Sequence, residues 1–285
     1  MVNPSTLCVL GYEISFRHSK NDDLATQDHE IPARSKFDSG QYNENGVSEL
    51  DSTKTRLILV RHCQSMGNLT KVFQGQTDFD ISPLGEKQLE LLALRLRNVP
   101  IDTLYASPLI RAWKTAEAIN KYHGLPIFPM DALKEIDIGD LAGRAPGHVF
   151  DGHPVLAENW REHPECCAFP GGESTVDVYE RAKAALGKIL GESRGKTVTV
   201  VSHGFLMRNM VCVLLNKPLD ALASVKIGGN TSVSEFLVSE NGVEVVRLDD
   251  ASHLPDELRD RLDFKKISDI SKKINSQMHD KSAHK

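Results

Sequence analysis

The sequence predicts an α/β fold, a mostly parallel central sheet flanked by helices, on three observations. A continuous apolar run, Leu57 to Val60, reads as a strand buried on both faces. A β-branched run, Thr197 to Val201, reads as a second such strand. Segments of helical periodicity follow both, and strands alternating with helices build parallel sheets.

The elements follow in order along the middle of the chain. Leu84 to Leu96 has helical periodicity, with Ser82 placed as N-cap and Pro83 at the first helical position. Asp102 to Ala106 is a short strand, and the helix after it runs from Ile110 to Tyr122 and stops near Gly124. A further helix spans Phe205 to Leu215, ahead of Pro218. Ser232 to Leu237 and Val243 to Leu248 flank Glu240-Asn241-Gly242 and predict a hairpin at one sheet edge.

Residues 142–174, with His148, His153, Trp160, Arg161, His163 and the vicinal pair Cys166-Cys167, form a long insertion expected to fold as a helical lid and to govern substrate choice. Trp160 is expected in the core of that lid. Residues 1–54 are rich in polar residues and lack apolar periodicity from residue 17 onward, which predicts a disordered extension, with a weak strand signal over Cys8 to Phe16. In 256–285, Leu258, Leu262, Ile267, Ile270 and Ile274 fall at near-helical spacing, so this polar tail is read as an amphipathic helix packing on its parent domain. The catalytic domain is therefore placed at 55–255.

Composition narrows the function classes. A formal charge of −5 argues against nucleic acid, whose phosphates demand a basic footprint. No apolar run reaches the roughly 18 residues of a membrane span. The N-terminus has no basic segment followed by an apolar one, so no secretory or transit peptide is expected. Five cysteines in no repeating framework predict free thiols and, by default, a cytoplasmic address. No CxxC or HExxH spacing supports a metal site. Oligomeric state is not legible.

Ligands of open α/β sheets bind beyond the carboxyl ends of the strands. Arg61-His62 ends the first strand, and His203-Gly204 follows the later one through Ser202. One histidine at a strand end is usually structural; two, with an arginine beside one of them, point to a site. Ser107-Pro108-Leu109-Ile110-Arg111-Ala112 places a second arginine after another strand, and Leu133-Lys134-Glu135-Ile136-Asp137-Ile138-Gly139 offers a carboxylate.

In this order and spacing, these segments resemble the histidine phosphatase superfamily, the branch named for cofactor-dependent phosphoglycerate mutase. The resemblance runs from about Thr55 to Pro255. It takes in Asn68, the Phe73-Gln74-Gly75-Gln76-Thr77-Asp78 stretch, Ser107 to Thr115, Glu135, Pro170-Gly171-Gly172-Glu173-Ser174 and Ser202-His203-Gly204. It implies that His62 attacks phosphorus and carries the phosphoryl group, that Glu135 serves the leaving group as acid and then water as base, and that His203 is the third catalytic group. Arg61, Asn68, Gly75, Arg111 and Gly204 would bind the phosphate, with neither metal nor cofactor. Two arginines with planar donor forks meet the physical need of a phosphoryl group for fixed positive charge.

Two positions depart from the pattern. Cys63 stands where glycine is usual, which would cost something if that residue needed positive φ; Lys134 stands where many relatives carry arginine, with an effect expected only at the rim. Cys63 as nucleophile would need the loop of cysteine phosphatases, which is absent. The expected function is hydrolysis of phosphomonoesters on small phosphorylated metabolites. A mutase using the same phosphohistidine is the alternative, and a catalytically silent binding module a more distant one.

Overall fold

The computed structural model describes residues 53–145 and 147–259, together with one pair of two-residue strands near the N-terminus. Of the weak strand signal over Cys8 to Phe16, Cys8–Val9 (β1) pairs antiparallel with Tyr12–Glu13 (β2). The rest of the expected extension, and the expected C-terminal helix beyond residue 259, lie outside the described residues. Asp256–Leu258, where that helix was expected to begin, is a single 3-10 turn.

A six-stranded sheet forms the centre, in the order β5-β4-β6-β3-β7-β8. Its parallel half comprises β3 (Thr55–Arg61), β4 (Thr103–Ala106), β5 (Ile127–Pro129) and β6 (Thr197–Ser202). The expected hairpin, β7 (Val233–Ser239) and β8 (Gly242–Asp250), adds antiparallel to β3 and leaves β8 at the edge. β5 is an addition to the sequence reading: three residues ending in Pro129, a residue tolerated on an edge strand because it donates nothing to the ladder.

Side-chain alternation splits the core between two faces. Leu57 and Leu59 of β3, with Val198 and Val200 of β6, pack on the face covered by α5 (Thr175–Glu192) and α6 (Gly204–Leu214). Ile58, Val60 and Val201 pack on the other face, under α2 (Pro83–Leu96) and α3 (Ile110–Asn120). Strands covered on both sides have no polar alternation, which is why β3 and β6 were legible as continuous apolar runs. Ser82 caps α2 by accepting the Gly85 amide at 3.0 Å. α3 ends two residues before the expected Tyr122, and the chain turns away at Gly124 with φ 66°.

The insertion holds α4 (Pro154–Glu162) and one short 3-10 turn, Pro164–Cys166, and a second such turn, Gly139–Leu141, lies just before the insertion. α5 follows and was not read from the sequence, although its signal is present. Ser174 and Asp177 form a capping box, and Val178, Ala182, Ala185, Leu186 and Ile189 line its buried face.

Candidate active site

Three neighbouring parallel strands end within one residue of the same level. Arg61 of β3 is in register with Ser202 of β6, and Ala106 of β4 with Val201 of β6. The next residue on each strand is therefore His62, His203 or Ser107, and the three meet at the carboxyl edge. The His62 and His203 rings lie 5.0 Å apart, and the His203 Nε2 is 2.7 Å from the Ser107 hydroxyl.

His62 is buried, and its Nδ1 lies 2.6 Å from the Cys63 carbonyl oxygen. A carbonyl can only accept, so Nδ1 carries the proton. Burial, reinforced by the charges of Arg111 and Arg61, holds the His62 pKa well below 6.5. The ring is therefore neutral near pH 7, with the lone pair on Nε2. The same causes, burial foremost and then Arg111, hold His203 low. His203 is fully buried beside His62, and its Nδ1 has no hydrogen-bond partner among the described residues.

Arg61 and Arg111, almost fully buried, both line the pocket beside His62. Arg61 donates to the Gly228 carbonyl. Arg111 donates to the carbonyls of Thr77 and Gly75, each at 2.9 Å. Burial lowers its pKa to about 10, which leaves it charged at neutral pH. Gly75 has φ 51°, and a Cβ there would lie 2.5 Å from Ile138 Cγ1, so both conformation and space call for glycine. Asp78, from the same loop, accepts the Ile110 amide at the start of α3 at 2.7 Å.

Asn68 lines the pocket from the short helix α1 (Met66–Leu69), where its Oδ1 accepts the Ser65 amide at 3.1 Å. Gly204 begins α6 beside the Arg61 side chain and lines the same pocket. Glu135 lines the same pocket, and its carboxylate is anchored. It accepts the amides of Phe205 and Leu206, in the first turn of α6, at 3.1 Å each, and its own neighbour's, Ile136, at 3.0 Å. Negative charge at a helix N-terminus is favourable, which explains the anchorage.

The departures resolve simply. Cys63 is not among the positive-φ residues, so a side chain is tolerated where glycine is usual. Burial pushes its thiol up to about 12, which keeps it protonated and excludes it as a nucleophile near pH 7. Lys134 pairs with Asp131 at 3.3 Å. Sequence reasoning missed Arg181 altogether. From α5 it donates to both oxygens of Glu173, at 2.8 Å each, and to the carbonyls of Ala132 at 2.9 Å and Lys134 at 2.7 Å. It thereby holds the segment that presents Glu135. An arginine amid a helix has no distinctive local signal.

Much of the remaining wall is aromatic. Trp160, buried as expected of a lid core residue, packs edge-on against Phe73 at 4.8 Å and stacks on Phe205 at 5.1 Å, while Phe150 lies 5.8 Å from Phe73.

Fold and pocket define a class: an α/β enzyme with two buried arginines flanking a neutral histidine at the sheet's carboxyl edge. A sequence model described as the histidine phosphatase superfamily (branch 1) matches residues 57–251, and the chain belongs to that superfamily. It is 36% identical over 199 residues to phosphoserine phosphatase 1 of Hydrogenobacter thermophilus, spanning 70% of this chain and 94% of that one. Among solved structures it resembles Bacillus stearothermophilus YhfR, with TM-score 0.67, 30% identity and coverage of 70% and 98% of the two chains. It also resembles a mycobacterial glucosyl-3-phosphoglycerate phosphatase, with TM-score 0.64, 25% identity and coverage of 70% and 100%. The protein is a phosphatase of the histidine type, a phosphoric monoester hydrolase; the mutase alternative has less support. No helix among the described residues is long and apolar enough to cross a membrane.

Proposed function

We propose that the protein hydrolyses small phosphorylated metabolites through a phosphohistidine on His62, without a metal. The observation that carries this reading is the single hydrogen bond from His62 Nδ1 to the Cys63 carbonyl, which leaves Nε2 as the nucleophilic nitrogen between two arginines. Nε2 attacks phosphorus as the bond to the leaving oxygen breaks. Glu135 gives that oxygen a proton, then takes one from the water that cleaves the N–P bond and releases inorganic phosphate. One Glu135 oxygen must exchange a helix amide for the leaving oxygen to do so. Arg61, Arg111, Asn68 and the loop at Gly75 hold the phosphoryl oxygens, with Gly204 beside Arg61, and His203, next to His62, adds a donor.

Metal independence is supported by the donor set: among the described residues no group of three or more His, Cys, Asp or Glu side chains could hold a metal ion. The cytoplasmic address is supported by the unpaired state of Cys63, Cys166, Cys167 and Cys212.

Rapid quenching of wild type with substrate should trap an acid-labile, base-stable phosphoprotein, and His62→Ala should neither trap phosphate nor turn over. Turnover by that variant would refute the reading. Dialysis against a chelator should leave the rate unchanged; a loss restored by magnesium or zinc would overturn metal independence.

A further inference from the structure

The two ends of the pocket differ in chemistry. At the His62 end stand Arg61, Arg111 and Glu135. Beyond these the lining includes the apolar Val72, Phe73, Val149, Phe150 and Trp160, with the neutral amide of Gln74 and the Lys71 side chain as polar members. Phe73 and Phe150 are each partly exposed, while Trp160 is only 8% exposed and backs them. Among the described lining residues, the one cation besides the two arginines is Lys71, an exposed residue at the rim.

That division bears on the leaving group. A phosphorylated amino or hydroxy acid carries a carboxylate a few bonds from phosphorus. Seated here, it would lose water against rings and gain no buried cation in return, which costs several kcal/mol. A flat apolar group in the same place loses nothing by desolvation. It gains by burial and by edge or offset contacts with Phe73 and Phe150.

We propose, on the basis of the phosphatase reading above, that the substrates of this site are phosphate monoesters of alcohols bearing a flat apolar group, arylalkyl or aryl, seated on Phe73 and Phe150. The phosphoserine and phosphoglycerate chemistry named for relatives is then disfavoured in this chain. The insertion acts as a specificity element, because it supplies Phe150 and Trp160.

The test uses the full chain and leaving alcohols of ordinary, similar basicity. Values of kcat/KM are compared for 2-phenylethyl phosphate, ethyl phosphate, phosphoserine and 3-phosphoglycerate. Burying one ring stabilises by about 1.5–3 kcal/mol, so 2-phenylethyl phosphate should exceed each of the others by roughly 10- to 100-fold, mainly through KM. In Phe150→Ala the ratio of 2-phenylethyl to ethyl phosphate should fall by about 10-fold. Phe73→Leu, which keeps apolar volume but removes the ring, should lower the same ratio by a smaller factor. The ratio is insensitive to any loss of folded protein. Faster hydrolysis of phosphoserine or 3-phosphoglycerate, or a ratio unmoved by either variant, overturns this inference and leaves the phosphatase reading standing. Failure of wild type on all four esters and on p-nitrophenyl phosphate overturns both.

Discussion

Arg181 grips Glu173 through both carboxylate oxygens, Nε to Oε1 and Nη2 to Oε2, each at 2.8 Å. The paired, parallel geometry is the strong form of this ion pair. It matters because Glu173 Oε2 also accepts the Asp137 amide at 2.8 Å, and because Arg181 donates to carbonyls on the approach to Glu135. The pair joins α5 to the segment carrying the carboxylate, with Arg181 also donating to the Glu135 carbonyl at 3.4 Å, while neither of the two side chains lines the pocket.

Arg181→Met should therefore impair leaving-group protonation more than phosphate binding. Small displacements of a catalytic group cost about 10²-fold. Turnover of an alkyl phosphate should fall by roughly that factor, with KM little changed and an aryl ester much less affected. Arg181→Lys should recover part of the loss. Equal losses on both esters would mean that Arg181 merely supports the fold.

Glu135→Gln should slow an alkyl phosphate by about 10²- to 10⁴-fold, whereas release of a nitrophenolate, which departs unassisted, should suffer far less. With the aryl ester the variant should accumulate phosphohistidine, visible as a burst, because water attack still lacks its base. The amide nitrogen of Gln would also face one of the two α6 amides, donor against donor, for a stability loss of about 1–3 kcal/mol. Equal slowing of the two esters without a burst would require another acid.

Stability should decline on mild acidification. Burial, then the nearby Arg95, depresses His253 to about 4, and burial with the two arginines depresses His62 and His203 as well. The unfolded chain takes up these protons near pH 6.5, before the folded protein does. The stabilisation is thus complete above about pH 6.5 and is lost as pH falls toward 4. Asp250 does not titrate in this window. Burial would raise its pKa, but hydrogen bonds from Ser252 and the charge of Arg95 outweigh burial and hold it at about 2. Urea midpoints from pH 8 to 4.5 should fall below about 6.5, and His253→Gln should flatten part of the slope; a level profile would contradict the assignment.

A chain starting near Ser52 should fold and keep its rate, since β3 begins at Thr55 and the pocket is lined by residues from Arg61 onward. Insolubility or inactivity would place the first segment within the domain.

What was legible along the chain was local. Apolar runs marked β3 and β6 because both faces of each are covered. Ser82 and Pro83 marked the start of α2 because a helix N-terminus needs an acceptor and has no use for the proline's missing donor. His62, Arg111, Glu135 and His203 were recognisable within short motifs. α5 carried a capping box that went unread, and β5 was too short to show a period. Tertiary structure alone decided the rest. The register of Arg61 with Ser202 seats His203 beside His62, and Arg181 reaches Glu173 and the Glu135 segment across a helix–loop contact. Glu135 likewise finds its amides about seventy residues away, on α6. Such pairings depend on how strands align and helices pack, and spacing along one chain encodes neither.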